Sequence, residues 1–180
     1  ITMAIFKAFR AVRPVNEHAQ DVAALPYDVM NSEEAREMVK GKPYSFLHVD
    51  KAEVDLPEGI DIYSEEVYLK AKENMEKLVT DGICKQDEKP CFYIYKQIMN
   101  GQSQTGLVGC ASIDDYINNI IKKHEFTRAD KEQDRINHVD YCDANTGPIF
   151  LTYRPQAEIA SIVSAWKENN APVYDFVTSD

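Results

Sequence analysis

Apolar residues fall along the chain in short runs separated by glycine, proline and small polar residues, and the spacing within each run predicts its element. Ile5, Phe6, Phe9 and Val12 make residues 4–12 read as a first strand, closed by Arg13-Pro14. Asn16 is placed to cap a short helix through Val22. Pro26 biases Leu25 away from helical geometry, so Pro26-Tyr27-Asp28-Val29 reads as an extended segment or turn. Asn31-Ser32-Glu33-Glu34, a capping residue followed by acids, opens a helix that runs to Val39 and stops at Gly41. Phe46, Leu47 and Val49 predict a buried strand over residues 44–49, with His48 as a satisfied core histidine. Residues 51–61, with Pro57, Gly59 and several acids, read as a solvent loop.

The second half has sharper signals. Ser64 opens an amphipathic helix with the stripe Val67, Tyr68, Ala71, Met75 and Leu78, and Gly82 stops it. A short connection over residues 83–89 follows. Asn100-Gly101 between two strand-like runs, 91–99 and 102–109, is a hairpin signal, because both turn positions tolerate positive φ. Ser112 with Asp115 caps a helix whose stripe is Ile113, Tyr116, Ile117, Ile120 and Ile121. Residues 149–153 read as a strand, Pro155 starts a helix with Ala157, Ile159, Ile162, Val163 and Trp166 inward, and residues 172–177 alternate like a last strand. The pattern predicts an α+β fold: a mixed sheet with a central hairpin and several packed amphipathic helices. Residues 1–180 are expected to form a single domain. The final strand would lack a return partner, which suggests the N-terminal part of a longer protein, cut inside a hairpin near residue 180.

Charge narrows the function classes. The formal net charge of −10 argues against nucleic-acid partners, which need Lys and Arg to neutralise phosphates. No apolar run reaches the length of a membrane span, so no membrane partner is expected. Cys84, Cys91, Cys110 and Cys142 form no C-x-x-C pair and sit in or beside predicted core elements, as four buried reduced thiols of a cytoplasmic protein would.

One stretch departs from this acidic background. Residues 122–138 concentrate ionisable groups between an apolar helix and an apolar strand. Lys122, Lys123, Arg128, Lys131 and Arg135 outnumber Glu125, Asp130, Glu132 and Asp134 by one, a nearly balanced island that hints at an anionic ligand. The metalloprotease spacing H-E-x-x-H fails after His124-Glu125, since position 128 is Arg. His138 and Cys142 sit four apart and would make a metal set with His124, but ordinary half-buried residues are the plainer reading, so no metal ligand is assigned. Phosphate handling fits better. Lys and Arg stabilise charge on transferring phosphoryl oxygens, Glu125 or Asp134 would hold a metal or take a proton, and His124 would donate to an anion. Neither G-x-x-x-x-G-K-[ST] nor G-x-G-x-x-G is present, so a nucleotide would be bound by another scheme. The competing bland reading is a surface helix laced with ion pairs, Lys131 and Arg135 with Asp130 and Asp134. Asp28 is a second candidate carboxylate, with an Asx-type turn as its plain alternative.

Ordered motifs also carry a resemblance. Phe9-Arg10-Ala11-Val12-Arg13-Pro14, Pro26-Tyr27-Asp28-Val29, the run from Pro43 to Val49, Asp81-Gly82-Ile83, Tyr93-Ile94-Tyr95, Gly106-Leu107-Val108-Gly109, His124-Glu125-Phe126-Thr127, Lys131 with Asp134-Arg135, and the run from Gly147 to Tyr153 together resemble the uncharacterised prokaryotic family known as domain of unknown function 1015. Members are about twice this long and carry an Asp-Gly-His-His-Arg motif in their second half, similar to one in free-serine kinases of the ParB/sulfiredoxin-like superfamily; this chain lacks it. Family genes often lie near serine-biosynthesis genes. The resemblance therefore implies a small-molecule phosphotransferase, serine-kinase-like, completed by a C-terminal half of the same protein. It implies an anionic or amino-acid ligand; it does not fix the cofactor, for which a nucleotide or pyrophosphate with magnesium are the candidates. Carried over by position, Glu125, His124 and Asp28 would be catalytic, and Lys131, Arg135, Thr127, Tyr27 and Asp134 would bind substrate or phosphate. The alternative is a regulatory module that binds a nucleotide or amino acid without turnover.

Overall fold

A computed structural model describes residues 3–123 and 128–178; His124, Glu125, Phe126 and Thr127 lie outside the described residues. The helices are α1 (Ala19–Val22), α2 (Ser32–Met38), α3 (Leu47–Asp50), α4 (Glu65–Thr80), α5 (Ile113–Ile117), α6 (Ala129–Cys142) and α7 (Ala157–Asn169). The strands are β1 (Phe6–Lys7), β2 (Val12–Pro14), β3 (Cys84–Gln86), β4 (Tyr93–Met99), β5 (Gln102–Val108) and β6 (Cys110–Ala111). The fold is α+β. Its strands form three antiparallel pairs, β1 with β6, β2 with β3 and β4 with β5, where one mixed sheet was expected. The predicted first strand is divided accordingly: β1 pairs with β6, Phe9 bridges to Cys91, and β2 pairs with β3. The polar connection expected over 83–89 supplies that partner, because Cys84 buries while Lys85 and Gln86 face solvent.

Local chemistry fixes the elements that formed as expected. Asn31 caps α2 with a full capping box: its side chain accepts from Glu34 N at 2.9 Å while Glu34 Oε2 accepts from Asn31 N at 2.8 Å. Asn100 and Gly101 take φ of 52° and 76°, the primed turn that matches strand twist between β4 and β5. Ser112 caps α5 through Asp115 N at 3.2 Å. That helix ends at Ile117, short of the predicted stripe, and its Asp115 rather than its isoleucines is buried, accepting from Ile5 N at 2.6 Å.

The core lies between α3, α4 and the β2–β3 pair. Val22, Val49, Leu78, Ile83 and Cys84 form one cluster, and Ala52, Val67 and Ala71 form a second that half-buried Cys142 of α6 packs against. The predicted strand at 44–49 is instead a turn leading into α3. A short apolar run fits either element, and here Leu47 and Val49 bury from a single helical turn anchored by Phe46 N on Val22 O at 3.0 Å. The segment expected as a solvent loop folds into a 3-10 turn, Ala52–Asp55, with Ala52, Glu53 and Val54 buried. Glu53 Oε1 accepts from Ser32 Oγ at 2.8 Å and pairs with Lys51 Nζ at 3.0 Å, so its charge is answered inside the protein. His48 likewise pairs through Nδ1 with Asp55 at 2.9 Å, and Asn74 of α4 donates to the same carboxylate at 2.8 Å.

The C-terminal part differs most from expectation. Residues 149–153 and 172–177 form no strand, and α7 buries none of its residues. Ile162 and Trp166, predicted inward, are exposed because no described element covers that face. The tail is held by polar contacts. Arg13 Nη1 donates to Tyr174 Oη at 2.7 Å while Arg13 Nη2 meets Asp87 at 2.9 Å, and the Tyr174 hydroxyl bonds the Pro14 carbonyl. All four cysteines are free. Cys84 is buried and Cys142 half-buried, but Cys91 and Cys110 are exposed, which corrects the expectation of four buried thiols. Among the described residues, no helix is long and apolar enough to cross a membrane.

Candidate functional site

Helix α6 carries the charged residues singled out above, and it packs along α4. Its first turn begins at Ala129 with no side-chain cap; exposed Arg128 pairs with Asp130 at 2.8 Å, as a solvated helix end would. The remaining charges of the helix also meet tyrosines of other segments. Lys131 Nζ donates to Tyr63 Oη at 2.9 Å and lies 5.4 Å from the centre of the same ring. The bond to Tyr63 raises the Lys131 pKa, keeping the ammonium charged.

Asp134 and Arg135 sit deeper. Asp134 accepts from Tyr68 Oη of α4 at 3.0 Å and from Arg135 Nη2 at 3.0 Å. Burial, with the Asp134 charge adding to it, raises the Tyr68 pKa and keeps its hydroxyl a donor. The Arg135 guanidinium lies 4.2 Å from the centre of the Tyr27 ring, a cation–π contact. Tyr27 belongs to the 3-10 turn Tyr27–Val29, which also carries Asp28 on the exposed surface. Thus Tyr27, Tyr63 and Tyr68 each fix one charged group of α6. The structure brings Tyr27, Lys131, Asp134 and Arg135 to one edge, with Asp28 on the adjoining turn. His124, Glu125 and Thr127 lie outside the described residues.

Beneath this edge is a second group that the sequence reading did not assemble. His138 is 3% exposed, and its Nε2 lies 3.0 Å from Val49 O. The hydroxyl of Thr146 is 3.5 Å from His138 Nδ1 and also stabilises the charged form of Asp50. Burial nevertheless raises the Asp50 pKa, against the opposing influence of Thr146, His138 and Arg135. Burial also pushes the Cys142 thiol up to about 11, with the Asp50 charge adding to it. Asp50 escaped notice because it falls between the run read as a strand, 44–49, and the segment read as a loop, 51–61; Thr146 stood only as the residue before Gly147-Pro148. His138 contacts a carbonyl, and Cys142 keeps its proton at neutral pH. Among the described residues no group of three His, Cys, Asp or Glu side chains is arranged to hold a metal ion.

Two surface depressions, of about 230 and 350 Å³, are lined by Val139, Asp140 and residues 143–145, and by residues 13–16 and 85–88. The Lys131–Arg135 edge belongs to neither. The edge can hold an anion by charge and by the guanidinium's planar donors, and the adjoining carboxylates can orient a hydroxyl or a cation. No curated protein and no solved structure matches the chain significantly. The model of a family described as protein of unknown function (DUF1015) matches residues 6–180, and the chain belongs to that family.

Proposed function

We propose that this chain supplies the anion-binding part of a small-molecule phosphotransferase acting on a small hydroxy compound such as serine, its site completed by chain beyond these residues. The observation that carries the reading is the contact of Arg135 with Tyr27 at 4.2 Å. It joins two stretches, far apart in sequence, that the motif resemblance selected separately: the turn with Asp28 and the helix with Lys131 and Asp134. In this reading Arg135 and Lys131 bind phosphoryl oxygens, and Asp28, with Glu125 and His124, takes the proton of the attacking hydroxyl or orients the metal that accompanies the donor. Tyr27 holds the guanidinium plane so that little freedom is lost on binding.

Phosphorus NMR of the full-length protein with serine, magnesium and in turn ATP, ADP and pyrophosphate tests the reading. Phosphoserine formed by the wild type and lost in Glu125→Gln or Arg135→Gln is the expected result. Undiminished turnover in both variants would overturn it. The open geometry of the edge favours a second reading, a regulatory module that binds a nucleotide or amino acid, since phosphoryl transfer needs water excluded. Ligand-induced shifts without product, abolished by Arg135→Gln, would select that reading.

A further inference from the structure

We infer that Cys91 and Cys110 form a modification site, a dithiol that a low-molecular-weight disulfide oxidises to a Cys91–Cys110 bond at the base of the β4–β5 hairpin. The argument is one of register. Residues 5–15 run beside a single antiparallel line of backbone assembled from two separate stretches of chain. Val15 N donates to Ile83 O at 2.9 Å, Ala11 O accepts from Asp87 N at 2.9 Å, and Ile5 O accepts from Ser112 N at 3.0 Å. Phe9 exchanges both backbone bonds with Cys91, at 3.1 and 2.9 Å. Residues 5, 9, 11 and 15 are alternate positions, and alternate positions of an extended strand turn their backbone groups to one edge. On that edge Lys7 pairs with Cys110 and Phe9 with Cys91. The two cysteines therefore stand two residue steps apart on the same line, with their side chains on one face. The rise of a strand sets their Cα atoms about 6–7 Å apart, at the upper end of the span a disulfide bridges, about 4.4–6.8 Å.

Two contacts show that the segments beside the cysteines converge. Phe6 stacks on Phe92 with ring centres 5.6 Å apart, and a Cβ on Gly109 would lie 2.7 Å from the same Phe6 ring. Phe92 and Gly109 thus leave the line together at Phe6, as the two limbs of a hairpin whose first rung is Tyr93 with Val108. Both thiols are free and exposed, and Cys91 Sγ gives up a weak bond to Lys89 O, at 3.4 Å, to turn toward its partner. The oxidation proceeds by two exchanges. The thiolate of one cysteine attacks a sulfur of the reagent disulfide and releases one reagent thiol; the second cysteine then attacks the protein-bound sulfur and releases the other. The two electrons and the two thiol protons leave with the released thiols.

The full chain, incubated near pH ~8 with oxidised glutathione, is alkylated, digested and mapped by mass. The expected result is loss of two free thiols and of two hydrogens, with the Cys91 and Cys110 peptides joined until dithiothreitol is added. Cys110→Ser should leave Cys91 carrying glutathione, and Cys91→Ser should leave Cys110 carrying it, both without an internal bond. Glutathione on both cysteines of the wild type with no bond between them would overturn the inference. So would a bond from either one to Cys84, to Cys142 or to a second chain. The wild-type map decides even if a variant does not fold.

Discussion

Glu53→Ala should destabilise the protein by about 3–5 kcal/mol, the cost of breaking a buried ion pair from one side. The side chains of Lys51 and Glu53 are 11% and 6% exposed, and their charged ends are 3.0 Å apart. Truncating Glu53 leaves an ammonium group without a counter-charge where little water reaches it, and leaves Ser32 Oγ without its acceptor at 2.8 Å. The backbone is held independently, because Arg36 Nη1 donates to Val54 O at 2.8 Å, so the substitution isolates the side chain. With a urea slope of about 1–3 kcal/mol per molar, the unfolding midpoint should fall by about 1–5 M. The double variant Lys51→Met/Glu53→Leu removes both charges and should unfold close to the wild type. A loss below about 1 kcal/mol for Glu53→Ala, or a double variant as unstable as the single one, would refute the reasoning and return this segment to a solvated loop.

Two further outcomes follow from the same kind of argument. The bond to Asp55 raises the His48 pKa above its ordinary 6.5, so that contribution is complete below pH 6.5 and disappears as pH rises through the raised value. Burial, the largest single influence, works against Asp55 ionising, but His48, Asn74 and Lys70 together outweigh it and the Asp55 pKa falls below 3.8, so its contribution is complete above pH 3.8 and disappears as pH falls through the lowered value. Asp55→Asn should accordingly cost about 1–2 kcal/mol near pH 5–6 and progressively less above neutrality, read by thermal melts across pH; a pH-independent cost would exclude the ion pair. Among the thiols, exposed Cys91 and Cys110 should react with an aromatic disulfide reagent at pH 8 well before buried Cys84 and half-buried Cys142, whose pKa is about 11. Mass-mapped early labelling of Cys142 would contradict its packing against Ala52, Val67 and Ala71.

Elements set by local chemistry were legible in the sequence: the Asn31 capping box, the Asn100-Gly101 turn and the long stripe of α4 each specify themselves within a few residues. Segments whose state depends on distant partners were not. Residues 44–49 carry the same apolar run whether they fold as strand or helix, and the bond from Phe46 N to distant Val22 O, which anchors the helical turn, is not written in the local sequence. The acids of 51–61 look solvated until Lys51 and Ser32 are known to surround Glu53. The candidate site divides the same way. The density of charge marked α6, but nothing local joins Arg135 to Tyr27, or Tyr63 to Lys131, and Asp50 stood between a misread strand and a misread loop. Ile162 and Trp166 follow a helical stripe faithfully, yet a stripe states only that a face is apolar, not that something covers it.

The Tyr174 clasp also orders the events of folding. Arg13 and Tyr174 are 161 residues apart, whereas Arg13 and Asp87 are 74 apart and the β4–β5 hairpin closes over neighbours. The entropy lost in closing a loop grows with its length, and contacts between distant residues are made once nearer ones have shortened the path between them. Arg13 is thus already fixed against Asp87 when the tail arrives, and Tyr174 docks onto a finished surface. With few buried contacts of its own, the tail is among the last segments to close and the first to open. The tail should therefore part from Arg13 before the core is disturbed.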